Sequence, residues 1–258
     1  MARDRNREYV YGNNAVMAVL DTNAGNRKIY KLFIKKNKKR SPIIKSITDL
    51  CRKKNVQVIE QDGHRFDSYF EPHLSRLDLE SAQGIILEVS PYNYYDLDHY
   101  LNSQTTGKSF LIMLDGVTDV GNFGSVLRNC SAFGADGIIV AKNRSVQVNQ
   151  RVAKTSAGAL EKVRVFRVTN LARTMEKLKD NQFWVYGSQV ENAESIQKAP
   201  LNFPLVMVMG SEFKGISALI AKKCDYLVRI DMSQNIQSLN VSVASGIIMY
   251  WIYKGLKS

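Results

Sequence analysis

The chain is poor in the residues that build metal centres and disulfide frameworks. It has three cysteines and three histidines in 258 residues. Cys51, Cys130 and Cys224 lie far apart with no C-x-x-C spacing, and His64, His73 and His99 make no constellation with them. A zinc site is therefore disfavoured, and no metal is expected. An odd cysteine count fits a reducing cytoplasm. Residues 1–10 are charged and lack the apolar stretch of a secretory signal, so the expected location is cytoplasmic. The longest apolar tract, Val241 to Tyr253, is broken by serines and too short to span a bilayer. No internal repeat or low-complexity tract is present.

Two nucleotide signatures are also missing. No G-x-G-x-x-G occurs, which removes the phosphate turn of a dinucleotide fold. Thr106-Gly107-Lys108-Ser109 resembles the end of a P-loop, but Asn102 occupies the required earlier glycine position. That segment also precedes an apolar strand, whereas a P-loop follows one. Kinase and dehydrogenase chemistry lack their parts.

Positive charge, by contrast, is plentiful. The formal net charge is +12, with 45% hydrophobic and 23% charged residues, so a soluble core-forming protein carries a strong basic excess. Residues 1–80 hold 17 Lys/Arg against 10 Asp/Glu, and residues 81–258 hold 19 against 14. A basic first third beside a more balanced remainder points to a polyanion partner, nucleic acid first. Solubility charge or attraction to a membrane surface is the plainer alternative. Arg27, Lys28, Lys31, Lys35, Lys36, Lys38, Lys39 and Arg40 follow one another without an intervening acid. Such a run is commonly a solvated loop; its density beside a strand favours a surface that tracks phosphates, with Lys35, Lys36, Lys38, Lys39 and Arg40 as candidate RNA contacts.

The pattern divides the chain. Residues 1–89 read as a small α/β module: a mobile tail over 1–7, a helix from Ala15, and a strand over Ile29–Ile34. A helix opened by Pro42 follows, with Ile43, Ile44, Ile47, Leu50 and Cys51 on one face, then strands near 56–59 and 84–89. Residues 90–107 have linker chemistry, although Tyr92, Tyr94, Tyr95 and Tyr100 suggest packing. From 108 to 258 strands are expected at 110–114, 137–141, 163–168, 183–186, 205–209 and 226–230. Helices are expected at 122–134, 150–160 and 170–180, with a last apolar one at the end. That alternation means a mostly parallel sheet covered on both faces.

Ligands in such sheets bind beyond the carboxyl ends of strands. Three polar turns follow apolar strands here: Asp115 to Asn129, Gly210-Ser211-Glu212-Phe213-Lys214-Gly215, and Ser238-Leu239-Asn240. Asn122 and Arg128 are close enough in sequence to share the start of one helix. Each residue also fits a purely structural role: Asn122 and Ser238 as helix caps, Glu212 as first-turn charge.

In this order the three motifs resemble the SpoU/TrmH family of RNA 2′-O-ribose methyltransferases, within the SPOUT superfamily. The first looks like that family's D-x-x-N-x-G…R, the second its G-x-E-x-x-G, the third its S-L-N-V-S-x-A. Tyr11-Gly12…Val16…Leu20 and Gln83-Gly84-Ile85 resemble the family's small substrate-binding domain. Val168 to Met175 looks like the bacterial RlmB group, which methylates a guanosine of 23S ribosomal RNA. The resemblance implies a parallel-sheet domain with a C-terminal deep trefoil knot, a rare exception to ordinary topology, preceded by an RNA-binding domain. It implies S-adenosylmethionine held by main-chain groups at Gly210, Ile230 and Leu239, with Met232 a weaker candidate. It further implies a homodimer whose catalytic Arg128 works across the subunit boundary. Asn122 and Asn240 would orient the ribose and Arg128, Glu212 would hold the arginine, and Ser238 would shape the third loop. Guanidinium is essentially never deprotonated in proteins, so Arg128 suits a phosphate clamp better than a general base. Val120, Phe213 and Asp231 depart from a proline, a glycine and a proline of the family pattern; the two lost prolines are expected to loosen their turns. Ribosomal RNA processing is the expected role. Transfer RNA as substrate, or a non-catalytic RNA-binding module, are the alternatives.

Overall fold

The computed structural model describes residues 6–22, 26–36, 41–103, 107–212, 214–233 and 238–257. The chain folds as two compact units, Met1–Asn93 with Val148–Lys162, and Tyr94–Gln147 with Val163–Ser258.

The first unit begins with strand β1 (Glu8–Tyr11) and helix α1 (Asn13–Thr22), followed by β2 (Ile29–Lys35), α2 (Pro42–Lys53) and β3 (Gln57–Gln61). Helices α3 (Gly63–Phe70) and α4 (Arg76–Ser81) lead to β4 (Ile85–Val89). The strands form one sheet in the order β1-β4-β2-β3, with only β2 and β3 parallel. Strand β1 was hidden at the edge of the expected tail; three of its four residues, Tyr9, Val10 and Tyr11, are buried. One face carries an aromatic cluster of Tyr9, Tyr11, Phe33, Phe66 and Phe70. Helix α2 starts at Pro42, whose missing N–H costs nothing in a first turn. It buries Ile44, Ile47 and Cys51, while Ile43 and Leu50 stay half-exposed at the margin of that stripe.

The second unit opens with α5 (Leu97–Ser103), in the stretch expected to be a linker. Its Leu97, Tyr100 and Leu101 are buried in the same core as Leu111, Ile139 and Phe166, and the Tyr100 and Ser109 hydroxyls are hydrogen-bonded at 2.6 Å. The polar and helix-breaking residues around 90–107 masked a single turn and a half of helix anchored by its aromatics. Then come β5 (Phe110–Asp115), α6 (Val120–Phe133), β6 (Gly137–Ala141), α7 (Gln150–Thr155), β7 (Arg164–Val168), α8 (Leu171–Asp180) and β8 (Trp184–Ser188). A short β9 (Glu194–Ser195), β10 (Leu205–Gly210), α9 (Ala218–Ala221), β11 (Tyr226–Arg229) and α10 (Val241–Lys257) complete the chain. Seven strands pair in the order β7-β6-β5-β10-β8-β11-β9, and every pair is parallel, as the alternation implied. Strand alternation puts Leu111 and Met113 of β5 on the α5/α8 side, leaving Phe110, Ile112 and Leu114 for the opposite face.

Residues 148–162 interrupt the second unit in sequence yet belong to the first. Helix α7 ends after Thr155, and the chain turns through Ala157 and Gly158, both at positive φ, into a 3-10 turn at Ala159–Glu161. Val152, Ala153, Ala159 and Leu160 are buried. A Cβ on Gly158 would lie 2.5 Å from Ala18 Cβ and 3.0 Å from Asn14 O, so α1 approaches the bare backbone. Burying a Val and a Leu contributes about 1.5–3 kcal/mol each. The half-exposed Arg151–Asp78 pair adds up to about 1 kcal/mol. Apolar contact holds this segment, and the polar bonds set its register.

Polar groups around it are closely paired. Arg151 approaches both Asp78 oxygens at 3.3–3.4 Å, while Tyr11 and Ser75 donate to Asp78 at 2.6 Å each. Burial pushes the Asp78 carboxyl up, but these donors outweigh it and hold it below the usual range. Burial and the bond to Asp78 raise the Tyr11 phenol well above its ordinary value. Lys154 donates to the Ser81 carbonyl at 2.8 Å. Arg27, its side chain fully buried, lies 3.4 Å from Glu161 and 2.7 Å from Glu8.

No helix among the described residues is long and apolar enough to cross a membrane.

Candidate active site

The carboxyl end of β5 is the first wall of the site. Asp115 leads into Gly116 at φ +73°, and Asp119 caps α6 by accepting from the Asn122 N–H at 2.7 Å. Val120 is therefore the first helical residue of a side-chain-capped helix, which fixes the turn without a proline.

The second wall follows β10. Gly215 N–H donates to Ser211 O at 2.9 Å and stands at φ +60°, closing a tight loop. A Cβ on Gly210 would fall 1.9 Å from the Gly215 carbonyl carbon, so backbone meets backbone and only glycine fits. The two glycines of the G-x-E-x-x-G pattern thus have distinct reasons: close approach at the first, left-handed φ at the second. Asp115 ties the walls together by accepting from the Ser217 N–H at 2.8 Å. Phe213 lies outside the described residues.

The third wall is the start of α10. Asn240 Oδ1 accepts from the Ser242 N–H at 2.8 Å, capping the helix. Its amide nitrogen reaches the other way, to Asn122 Oδ1 at 3.0 Å and to Glu212 Oε1. Asn122 Nδ2 also donates to Glu212 Oε1, at 2.9 Å. Three residues from three loops close a ring of hydrogen bonds around one carboxylate oxygen.

Arg128 is exposed on α6 and forms no ion pair with Glu212 among the described residues; the carboxylate takes the two amides instead. Its neighbour Asn129 holds α6 to α10, donating to Ser242 O at 2.9 Å and Ser245 Oγ at 2.8 Å. Ser238 is exposed and takes no part in the ring. Asp115, Asn129 and Ser242 belong to the positioning set, and sequence reasoning did not select them. Each lies inside a motif, and that was the available signal.

Gly210 and Ile230 stand at the ends of β10 and β11, both neighbours of β8. Val208 and Leu227 both pair with Gly187, which places Gly210 and Arg229 two strand spacings apart, roughly 10 Å. Asn240 brings the adjacent Leu239 to the Glu212 loop. Ile230, Met232 and Leu239 are all half-buried apolar residues at these ends. Asp231, expected to loosen its loop, instead accepts from the Ser195 hydroxyl and pairs with Arg229 at 3.4 Å. Two side-chain ties do what a ring constraint would.

Of the candidate RNA contacts, Lys36 is exposed, and Lys35 is already engaged with Asp67 at 2.7 Å. Lys38, Lys39 and Arg40 lie outside the described residues.

An all-parallel sheet with its polar ring beyond the carboxyl ends of β5 and β10 defines an α/β protein with a switch-region ligand site. A model of the SpoU rRNA methylase family matches residues 109–250, and one for RNA 2′-O ribose methyltransferase substrate binding matches residues 9–95. The chain belongs to the SpoU rRNA methylase family. The TrmH family tRNA/rRNA methyltransferase YacO of Bacillus subtilis is 34% identical over 249 residues, 96% of this chain and 95% of that one. A TrmH family tRNA/rRNA methyltransferase of Staphylococcus aureus is 44% identical over 174 residues, 67% of this chain and 70% of its own length. The SpoU methyltransferase AviRb from Streptomyces viridochromogenes, solved in complex with AdoMet, superposes with a TM-score of 0.78 at 20% identity. That superposition covers 98% of this chain and 91% of AviRb, a likeness of fold.

Proposed function

We propose that this RNA methyltransferase uses S-adenosylmethionine to methylate the 2′-hydroxyl of a ribose, with a guanosine of 23S ribosomal RNA as the favoured target. The observation that carries the reading is the Asn122–Glu212–Asn240 ring, which assembles all three family motifs around one carboxylate. Only one Glu212 oxygen is taken by the ring, so the other is available to a cation such as a guanidinium or a sulfonium. Gly210, Ile230 and Leu239 are the main-chain candidates for holding the donor, with Met232 beside them.

The donor supplies an already activated methyl group on a positively charged sulfur. In the transfer a carbon–oxygen bond forms as the carbon–sulfur bond breaks, and the 2′-hydroxyl loses its proton. The protein's task is alignment and stabilisation of the developing alkoxide. Arg128 clamps the phosphate next to the ribose and faces the oxygen with positive charge, while a phosphate oxygen or water takes the proton. Asn122 and Asn240 orient the sugar.

A homodimer completes this reading. Arg128 lies outside its own chain's ring, which supports an arginine supplied across a subunit boundary. Val243, Ile247 and Tyr250 are 51%, 38% and 53% exposed at helical spacing on α10, an apolar stripe suited to a second copy. The domain assignment we infer is RNA binding by residues 1–89 and a knotted methyltransferase over 108–258. Insertion of β10 between β5 and β8 supports a chain that threads back through its own loops. Incubating the protein with labelled S-adenosylmethionine and purified ribosomal or transfer RNA, then mapping 2′-O-methyl positions, tests the assignment. Label in transfer RNA alone replaces the ribosomal target, and no label in either leaves an RNA-binding module.

A further inference from the structure

We propose that residues 148–162 are a positioning arm, which couples RNA capture by the first unit to delivery of the ribose to the second. This rests on the methyltransferase reading above. The substrate-binding match ends at residue 95, yet the first unit is incomplete without this later segment. The chain therefore passes between the units three times, after residues 93, 147 and 162. A unit joined once would deliver its RNA from a flexible tether. Fixing further points raises the effective concentration of the bound ribose at the catalytic loops without any new RNA contact.

The arm is fastened in three ways. Gly158 lies so close to α1 that a side chain there would strike Ala18 and Asn14. Arg151 and Lys154 reach Asp78 and the Ser81 carbonyl, 73 positions away in the chain. Glu161 lies against Arg27, which also engages Glu8 of β1. At its amino-terminal side the arm continues from the loop after β6, and that loop is bound to the first motif: Val146 N–H donates to Val117 O at 2.9 Å. A covalent and hydrogen-bonded path thus runs from the arm to the turn that presents Asn122.

The test uses the full chain in three forms: wild type, Arg151→Ala/Lys154→Ala, and Gly158→Val, with Arg151→Lys as the conservative control. The side chain of Arg151 is 56% exposed, so the double variant spares the core. Hydrogen exchange in 148–162 should quicken in both loosened forms. Affinity for purified ribosomal RNA should stay within about twofold and S-adenosylmethionine affinity should be unchanged, while kcat for methylation falls about tenfold or more. Arg151→Lys should keep most of the rate. A loosened arm with wild-type kcat overturns the proposal, as does unaltered exchange in both variants. A merely structural role would lower RNA affinity together with kcat, which also counts against it. If wild type methylates no RNA, the methyltransferase reading fails separately. The arm is then judged by exchange alone: added ribosomal RNA must slow exchange at both 148–162 and 142–147 in wild type but not in the double variant, and its failure to do so overturns the arm.

Discussion

Asn240 and Asn122 are 118 positions apart in the chain and share a hydrogen bond of 3.0 Å, Asn240 Nδ2 donating to Asn122 Oδ1. Both also donate to Glu212 Oε1, so neither amide acts alone. Hydrogen bonds to a charged group contribute about 1.5–3 kcal/mol each. Asn122→Ala and Asn240→Ala should each lower kcat by roughly tenfold to a hundredfold. The double variant should lose much less than the product of the two, because the remaining Glu212 contact has already been disordered. Steady-state kinetics of the four forms gives the coupling; strict multiplicativity would break the ring into independent contacts.

Arg128→Ala should abolish turnover and leave S-adenosylmethionine binding intact by calorimetry. Mixing it with Asn240→Ala, each inactive alone, should restore roughly a quarter of wild-type activity. Half of a randomly exchanged population is mixed, and one of its two sites is whole. No recovery would assign the arginine to its own chain's ring.

Gly210→Ala places a Cβ where the Gly215 carbonyl already stands. The loop must move, at a cost of about 1–3 kcal/mol or more. Loss of cofactor affinity with a lowered Tm is expected, whereas Gly107→Ala, whose Cβ would meet nothing within 4 Å, should leave both unchanged.

The Asp78 carboxyl is held below its usual range in the folded protein, whereas it titrates near 3.9 when unfolded. Folding therefore favours the ionised form. Its stabilising contribution is complete above about pH 4 and is lost as pH falls through the lowered folded value. Asp78→Asn should lower Tm at neutral pH and flatten its decline below pH 4. An unchanged acid limb in the variant would remove Asp78 from the acid response.

The catalytic sheet was legible because its strands are long apolar runs ended by glycines and acids. The three loops were legible because their residue types are unusual for turns of that length. What stayed hidden was long-range and aperiodic. Asp78 and Arg151 leave no spacing that joins them, and the tyrosines of 90–107 signalled packing without saying that Leu97 and Tyr100 form one helical face. Asp231 was read by what it replaced, not by the Ser195 hydroxyl it would meet. Arg128 was legible as a residue but not by its surroundings, since exposure on α6 depends on which other chain, if any, covers it.

Because Leu160 and Glu161 complete the packing around α1 and Arg27, the ribosome must release more than half of this polypeptide before the amino-terminal unit can close. Until then α1 presents uncovered apolar surface to the cell, while β5 and β6 are already waiting for partners still to be translated. Two units that look sequential in the gene are thus obliged to mature together, and a stall in translation between β6 and β7 strands both half-made.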